Sequence, residues 1–202
     1  MNYLAIDTSN TTLITIACKE DKIYAYEDKT CGVKHSQSVM VETEKVLQSA
    51  GMKVSDCDFF ACVVGAGSFT GIRIGVSTVK ALAFATNKPV LSITTFDTLA
   101  YNKDSGKNLA VINAKHGSFY VCGYNGFEVD LSPSFISKDE LDKLSKEYNL
   151  LAFEEIDGVN AEIVSVKDGL IKAIEMKKGL INLDANSLEP LYIRKSQAEE
   201  GR

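Results

Sequence analysis

The chain has 202 residues, 45% of them hydrophobic, and a formal net charge of −5. That length suits one large domain or two smaller lobes, and it can bury a core without disulfides or metals. The charge supplies no large basic face, so the isolated chain is expected to bind RNA poorly.

The five cysteines, Cys18, Cys31, Cys57, Cys62 and Cys122, form no C-x-x-C pair. That argues against a metal-ligand cluster and for a reducing compartment. Met1-Asn2-Tyr3-Leu4 does not begin a basic-then-apolar leader, and no apolar run approaches membrane-spanning length. A cytoplasmic protein with no membrane partner is the expectation.

Residues 3–6 read as a buried strand, and Asp7-Thr8-Ser9-Asn10-Thr11-Thr12 as a turn whose side chains bond their own backbone. Strands over 13–18 and 22–26 flank the polar turn Lys19-Glu20-Asp21 and complete an antiparallel meander. Residues 30–34 are a loop. A helix over 36–50 carries the stripe Val39, Thr43, Val46 and Ala50, with Met40 and Leu47 beside it and Gly51 placed to end it. Val41 points elsewhere, among Glu42, Glu44 and Lys45. A strand over 58–64, a glycine turn, a helix over 69–86, a strand over 90–93 and a short helix over 96–101 follow.

The polar stretch 102–107 is the expected boundary between a lobe at 1–101 and a second at 108–202. The second half offers strands over 109–112 and 119–124 around the turn Lys115-His116-Gly117. Ser137 and Glu140 have capping-box spacing for a helix running to about 148. A strand over 150–153 and a helix over 166–178, capped by Ser165 and stopped by Gly179, come next. The tail 188–195 is extended, and it is free in sequence terms to pack on either lobe. Three strands, helix, strand, helix, strand, then a second mixed half, match the actin-like ATPase and sugar-kinase (ribonuclease H-like) α/β fold.

The most distinctive stretch is Gly65-Ala66-Gly67-Ser68-Phe69-Thr70-Gly71-Ile72-Arg73-Ile74-Gly75. A glycine turn at a helix start can cradle an anion. However, no Lys-Ser/Thr follows Gly71 as a P-loop needs, and the glycines are spaced one residue too long for a dinucleotide fingerprint. Gly71 and Gly75 share one side of the helix, with Phe69, Ile72, Val76, Val79 and Ala83 as an apolar stripe beside them. Arg73, Ser77 and Lys80 lie opposite. Such a glycine strip can pack close to a sheet or helix without any ligand.

Taken together, Ala5-Ile6-Asp7-Thr8-Ser9, the glycine stretch, Ala114-Lys115-His116-Gly117-Ser118-Phe119-Tyr120 and Pro190-Leu191-Tyr192-Ile193-Arg194-Lys195 resemble the TsaB (YeaZ) family, in the right order across nearly the whole chain. Two departures stand out: Gly65-Ala66-Gly67 where the family usually has Gly-Pro-Gly, and Asn113-Ala114-Lys115 where it usually has an acidic residue, Ala and Arg. The resemblance implies a partner of TsaD, the subunit that transfers a threonylcarbamoyl group to an adenosine beside the anticodon of certain tRNAs. It also implies a TsaE-type ATPase as a third component, a homodimer when alone, and contact with tRNA only through the complex. Family members pair through the N-terminal lobe and are not thought to carry the chemistry.

The residues agree on missing parts. Catalytic relatives carry two metal-binding histidines at i and i+4 on the first long helix. Here His35 stands at its start and Val39 at i+4, so no metal is expected. The first turn lacks a phosphate-wrapping glycine. Asp7 either holds magnesium through water or caps the turn through Ser9 or Asn10, and the cap is favoured. No catalytic residue is assigned. The expected partner interface is His35, Met40, Val41, Gly71, Ile74, Gly75, Thr78 and Leu82, on two helices that would form a four-helix packing with a mate. Asp7, Ser68 and Arg73 are candidates for contact with a nucleotide or the partner. No cofactor is expected to bind tightly, and ATP or ADP at the partner interface is the candidate. The rival readings are an ATP-dependent kinase-like enzyme and a metallopeptidase-like protein.

Overall fold

Strand β1 (Tyr3–Asp7) is buried along its whole length, as a strand in the middle of a covered sheet must be. In the computed structural model, which describes residues 1–29 and 35–194, it pairs antiparallel with β2 (Leu13–Lys19), which pairs antiparallel with the edge strand β3 (Lys22–Asp28). On its other side β1 runs parallel to β4 (Phe59–Val63), and β4 to β5 (Val90–Ile93). The sheet order is β3-β2-β1-β4-β5. Helices α1 (His35–Ser49) and α2 (Phe69–Thr86) cover one face. There Leu4 and Ile6 share a core with Val39, Val46, Ile72, Val76 and Val79. Each such side chain, fully buried, contributes about 1.5–3 kcal/mol. The loop expected over 30–34 and the tail end at Lys195 lie outside the described residues.

The second sheet is built from β6 (Lys107–Asn113), β7 (Ser118–Asn125), β8 (Glu128–Ser137), β9 (Asn149–Ala152) and β10 (Glu162–Ile163). Its order, read from the β8 edge, is β8-β7-β6-β9-β10. The β6–β7–β8 meander is antiparallel, and β9 and β10 are parallel additions. This repeats the plan of the first sheet strand for strand, although no short sequence repeat announces it. The remaining helices are α3 (Thr95–Ala100), α4 (Lys138–Leu144) and α5 (Val166–Lys177).

Contacts divide the chain into one unit of Met1–Thr94 with Ile174–Leu191, and another of Thr95–Ala173 with the segment from Tyr192 onward. The expected boundary between 101 and 108 is therefore misplaced. Helix α3 belongs to the second unit, where the Tyr124 hydroxyl donates to Asp97 Oδ1 at 3.0 Å. Residues 174–191 belong to the first, where Ala185 and Leu188 enter the core and the Leu191 N–H donates to the Val64 carbonyl at 2.8 Å.

Two strands were not expected. β8 contains Pro133 and charged residues and is mostly exposed, a pattern tolerated only at a sheet edge. β10 has two residues, too short for any periodicity. Helix α4 is shorter than expected. The Ser137–Glu140 capping box forms, but the helix ends at Leu144 and the chain turns to bury Tyr148 before β9.

Candidate functional site

The turn after β1 is clamped from three directions. Asp7 Oδ1 accepts from the Ser9 N–H at 2.7 Å, and Asn10 Oδ1 from the Thr12 N–H at 2.8 Å. The Ser9 carbonyl accepts from the Ser68 N–H at 2.6 Å, and the Thr8 hydroxyl donates to the Gly71 carbonyl at 2.7 Å. His35, at the start of α1, has Nε2 2.8 Å from the Asn10 carbonyl, so Nε2 carries the proton in this contact. Asp7 thus caps the turn. Its carboxyl is fully buried, and burial raises its pKa from 3.8 to about 6, against the opposing pull of the Ser9 bond and the nearby imidazole. Asp7 Oδ2, Asn10 Nδ2 and His35 Nδ1 are buried without a hydrogen-bond partner.

This clamp changes the reading of four residues. His35 is only 3% exposed, held by the turn rather than offered to a partner. Gly71 and Gly75 are buried against the turn: a Cβ on Gly71 would overlap the Thr8 carbonyl, and one on Gly75 would sit 2.5 Å from the Thr8 hydroxyl. The glycine strip is therefore an internal packing surface. Ser68 spends its hydroxyl as the α2 N-cap, accepting from the Gly71 N–H at 3.2 Å.

The outward faces of α1 and α2 differ in character. Met40, Val41 and Phe84 are about half exposed, and Ile74, Thr78 and Leu82 are partly so. Between the helices runs an open groove of about 470 Å³, lined by Ser36, Val39, Met40, Phe69, Thr70, Arg73, Ile74, Ser77 and Thr78. The Arg73 guanidinium lies 4.0 Å from the centre of the Phe69 ring. Phe69, placed by periodicity in the core stripe, instead lines this groove, and its i, i+4 spacing to Arg73 was the available sign. Among the described residues, no group of three or more His, Cys, Asp or Glu could hold a metal ion, and no helix is long and apolar enough to cross a membrane.

Residues 29–188 match the family described as TsaD, tRNA N6-adenosine threonylcarbamoyltransferase. The chain is 33% identical over 122 residues to the tRNA threonylcarbamoyladenosine biosynthesis protein TsaB of Bacillus subtilis, covering 59% of this chain and 53% of that one. It is 30% identical over 128 residues to TsaB of Escherichia coli, covering 61% and 55%. The chain thus spans about half the length of the curated relatives it matches. Among solved structures, YeaZ from Pseudomonas aeruginosa superposes with a TM-score of 0.75 at 21% identity, over 95% of this chain and 99% of that one, which shows a shared fold. Two mixed sheets of one plan, this fold and these matches together make the chain a member of the TsaD-type family with the actin-like ATPase fold, on its TsaB (YeaZ) side.

Proposed function

We propose that the chain is a non-catalytic partner of a TsaD subunit in threonylcarbamoylation of the adenosine beside the tRNA anticodon. The observation that carries this is the apolar surface that α1 and α2 leave uncovered: Met40 and Ile74 line the groove, and Val41, Leu82 and Phe84 are exposed or half-buried elsewhere on the same two helices. Two such helices meeting two from a mate bury these side chains in a four-helix packing. Alone, the chain uses the same face for a homodimer. A TsaE-type ATPase joins the pair, ATP or ADP sits at the subunit boundary near Arg73, and tRNA is met through the complex, in the cytoplasm.

Light scattering on a sizing column tests this, first with the chain alone and then mixed with TsaD from the same source. A homodimer that converts to a mixed complex is expected, and Met40→Glu should weaken both species. A wild-type chain whose elution never shifts on mixing would overturn the partner reading.

A further inference from the structure

The second unit carries an aromatic and cationic surface that the helix-pair face does not use. Tyr120 on β7 and Phe135 on β8 are register partners, so both rings stand on one face of the sheet, 5.7 Å apart. The Arg194 guanidinium lies 4.4 Å from the Phe135 ring centre. Phe135 is 36% and Tyr192 39% exposed, and Arg194 is exposed. The turn that closes the β6–β7 hairpin adds Lys115 and His116, both exposed and held at positive φ. The segments that build this surface, 113–121, 131–137 and 192–194, contain no Asp or Glu, although the chain as a whole has a net charge of −5.

Aromatic rings beside a guanidinium, in a locally basic surface, suit unpaired nucleobases. Bases stack on ring and guanidinium faces whatever their identity, while cationic side chains meet the phosphates. An acidic protein segment would use the charges but leave the rings without matching planes. An apolar partner would offer nothing to the Lys115 ammonium or the Arg194 guanidinium.

We infer that this face of the second unit binds an unpaired stretch of RNA, stacking bases against Phe135, Tyr120 and Arg194 with Lys115 beside the phosphates. It deepens the proposed function and rests on it in taking tRNA as the polyanion. With an acidic net charge, binding by the chain alone is weak and is expected only at low salt.

The test is fluorescence anisotropy of labelled, unmodified tRNA titrated with the chain–TsaD complex. Phe135→Ala and Arg194→Ala should each raise the dissociation constant by about tenfold, the loss of roughly one stacked base. Phe135→Trp should keep wild-type affinity, and Lys115→Glu should flatten the salt dependence. Thermal melts and column elution with TsaD should stay as in wild type for each variant. Unchanged tRNA affinity in the Ala variants overturns the inference, and so does loss of TsaD rather than of tRNA, which would make the occupant a protein. If wild type forms no complex with TsaD, the partner reading has failed by itself. The same titration on the chain alone at low salt then decides: binding sensitive to Phe135→Ala and Arg194→Ala supports an RNA platform, and insensitive or absent binding overturns it.

Discussion

The hydroxyl of Thr8 donates to the carbonyl of Gly71 at 2.7 Å, and this buried bond locks the turn after β1 onto the first turn of α2. The contact exists because Gly71 and Gly75 have no side chain to keep the segments apart. Gly71→Ala would press a methyl group against the Thr8 backbone carbonyl, which cannot rotate away. A loss of about 1–3 kcal/mol or more is expected in urea unfolding. Gly75→Ala meets a side-chain hydroxyl instead and should cost less, whereas Gly75→Leu should cost at least as much as Gly71→Ala. Equal unfolding midpoints for wild type and Gly75→Leu would show that the strip has room to spare.

Asp7 makes stability depend on pH in a direction opposite to most carboxylates. Its folded pKa of about 6 lies above the ordinary 3.8. Below the lower value both states hold the proton and burial costs nothing. As pH rises between the two values, the unfolded chain releases its proton first and stability falls. Above the upper value the loss is complete, at about 3 kcal/mol at most. Asp7→Asn keeps an acceptor for the Ser9 N–H and cannot ionise. It should be more stable than wild type at pH 7, with the gap closing near pH 4. A gap of the same size at both pH values would rule out ionisation of Asp7 as its source.

Arg73 separates folding from assembly. Its side chain is exposed and rests on Phe69, so Arg73→Ala should change folding stability by about 0.5 kcal/mol or less. The same substitution should weaken pairing with TsaD or lower the activity of the reconstituted complex. Wild-type behaviour in both assays would remove Arg73 from the interface.

Ser137 and Glu140 cap α4 reciprocally: Glu140 Oε2 accepts from the Ser137 N–H at 2.8 Å, and the Ser137 hydroxyl faces the Glu140 N–H. Ser137→Ala should cost about 1 kcal/mol. The pair is non-additive if the double variant with Glu140→Ala loses less than the two single losses combined, as urea midpoints would read.

The helices of the first unit were legible because period and punctuation agree there. Residues 69–86 carry a continuous 3.6-residue stripe between a glycine turn and Asn87, which adopts the left-handed C-cap. The residues expected at a partner interface divide between exposed and buried positions. Neighbours on a helix diverge by about 100°, so Met40 and Val41 cannot both face a core that already takes Val39; the structure leaves both about half exposed, Met40 included, although the pattern sets it beside the core stripe. His35, Gly71 and Gly75, expected at the partner interface, are buried against the turn after β1, which for the two glycines is the close packing that the strip also predicts. Their burial comes from a turn some sixty residues earlier in the case of the glycines, and no local pattern reports such a contact. Strand β8 was invisible for the opposite reason. Its stability comes from pairing with β7, not from apolar alternation of its own.

The first unit is discontinuous in sequence, and this sets an order on its completion during synthesis. The sheet, α1 and α2 emerge within the first 94 residues, yet Ala185 and Leu188 fill part of the same core. The Val90–Asn182 bridge, bonded in both directions at 2.8 Å, also waits for that late segment. A ribosome that has made only the early residues holds a sheet with an unpaired edge and an open patch of core. The part of the molecule translated first therefore waits for residues made about ninety positions later, and a nascent chain stalled before residue 182 would expose apolar surface that the released protein hides.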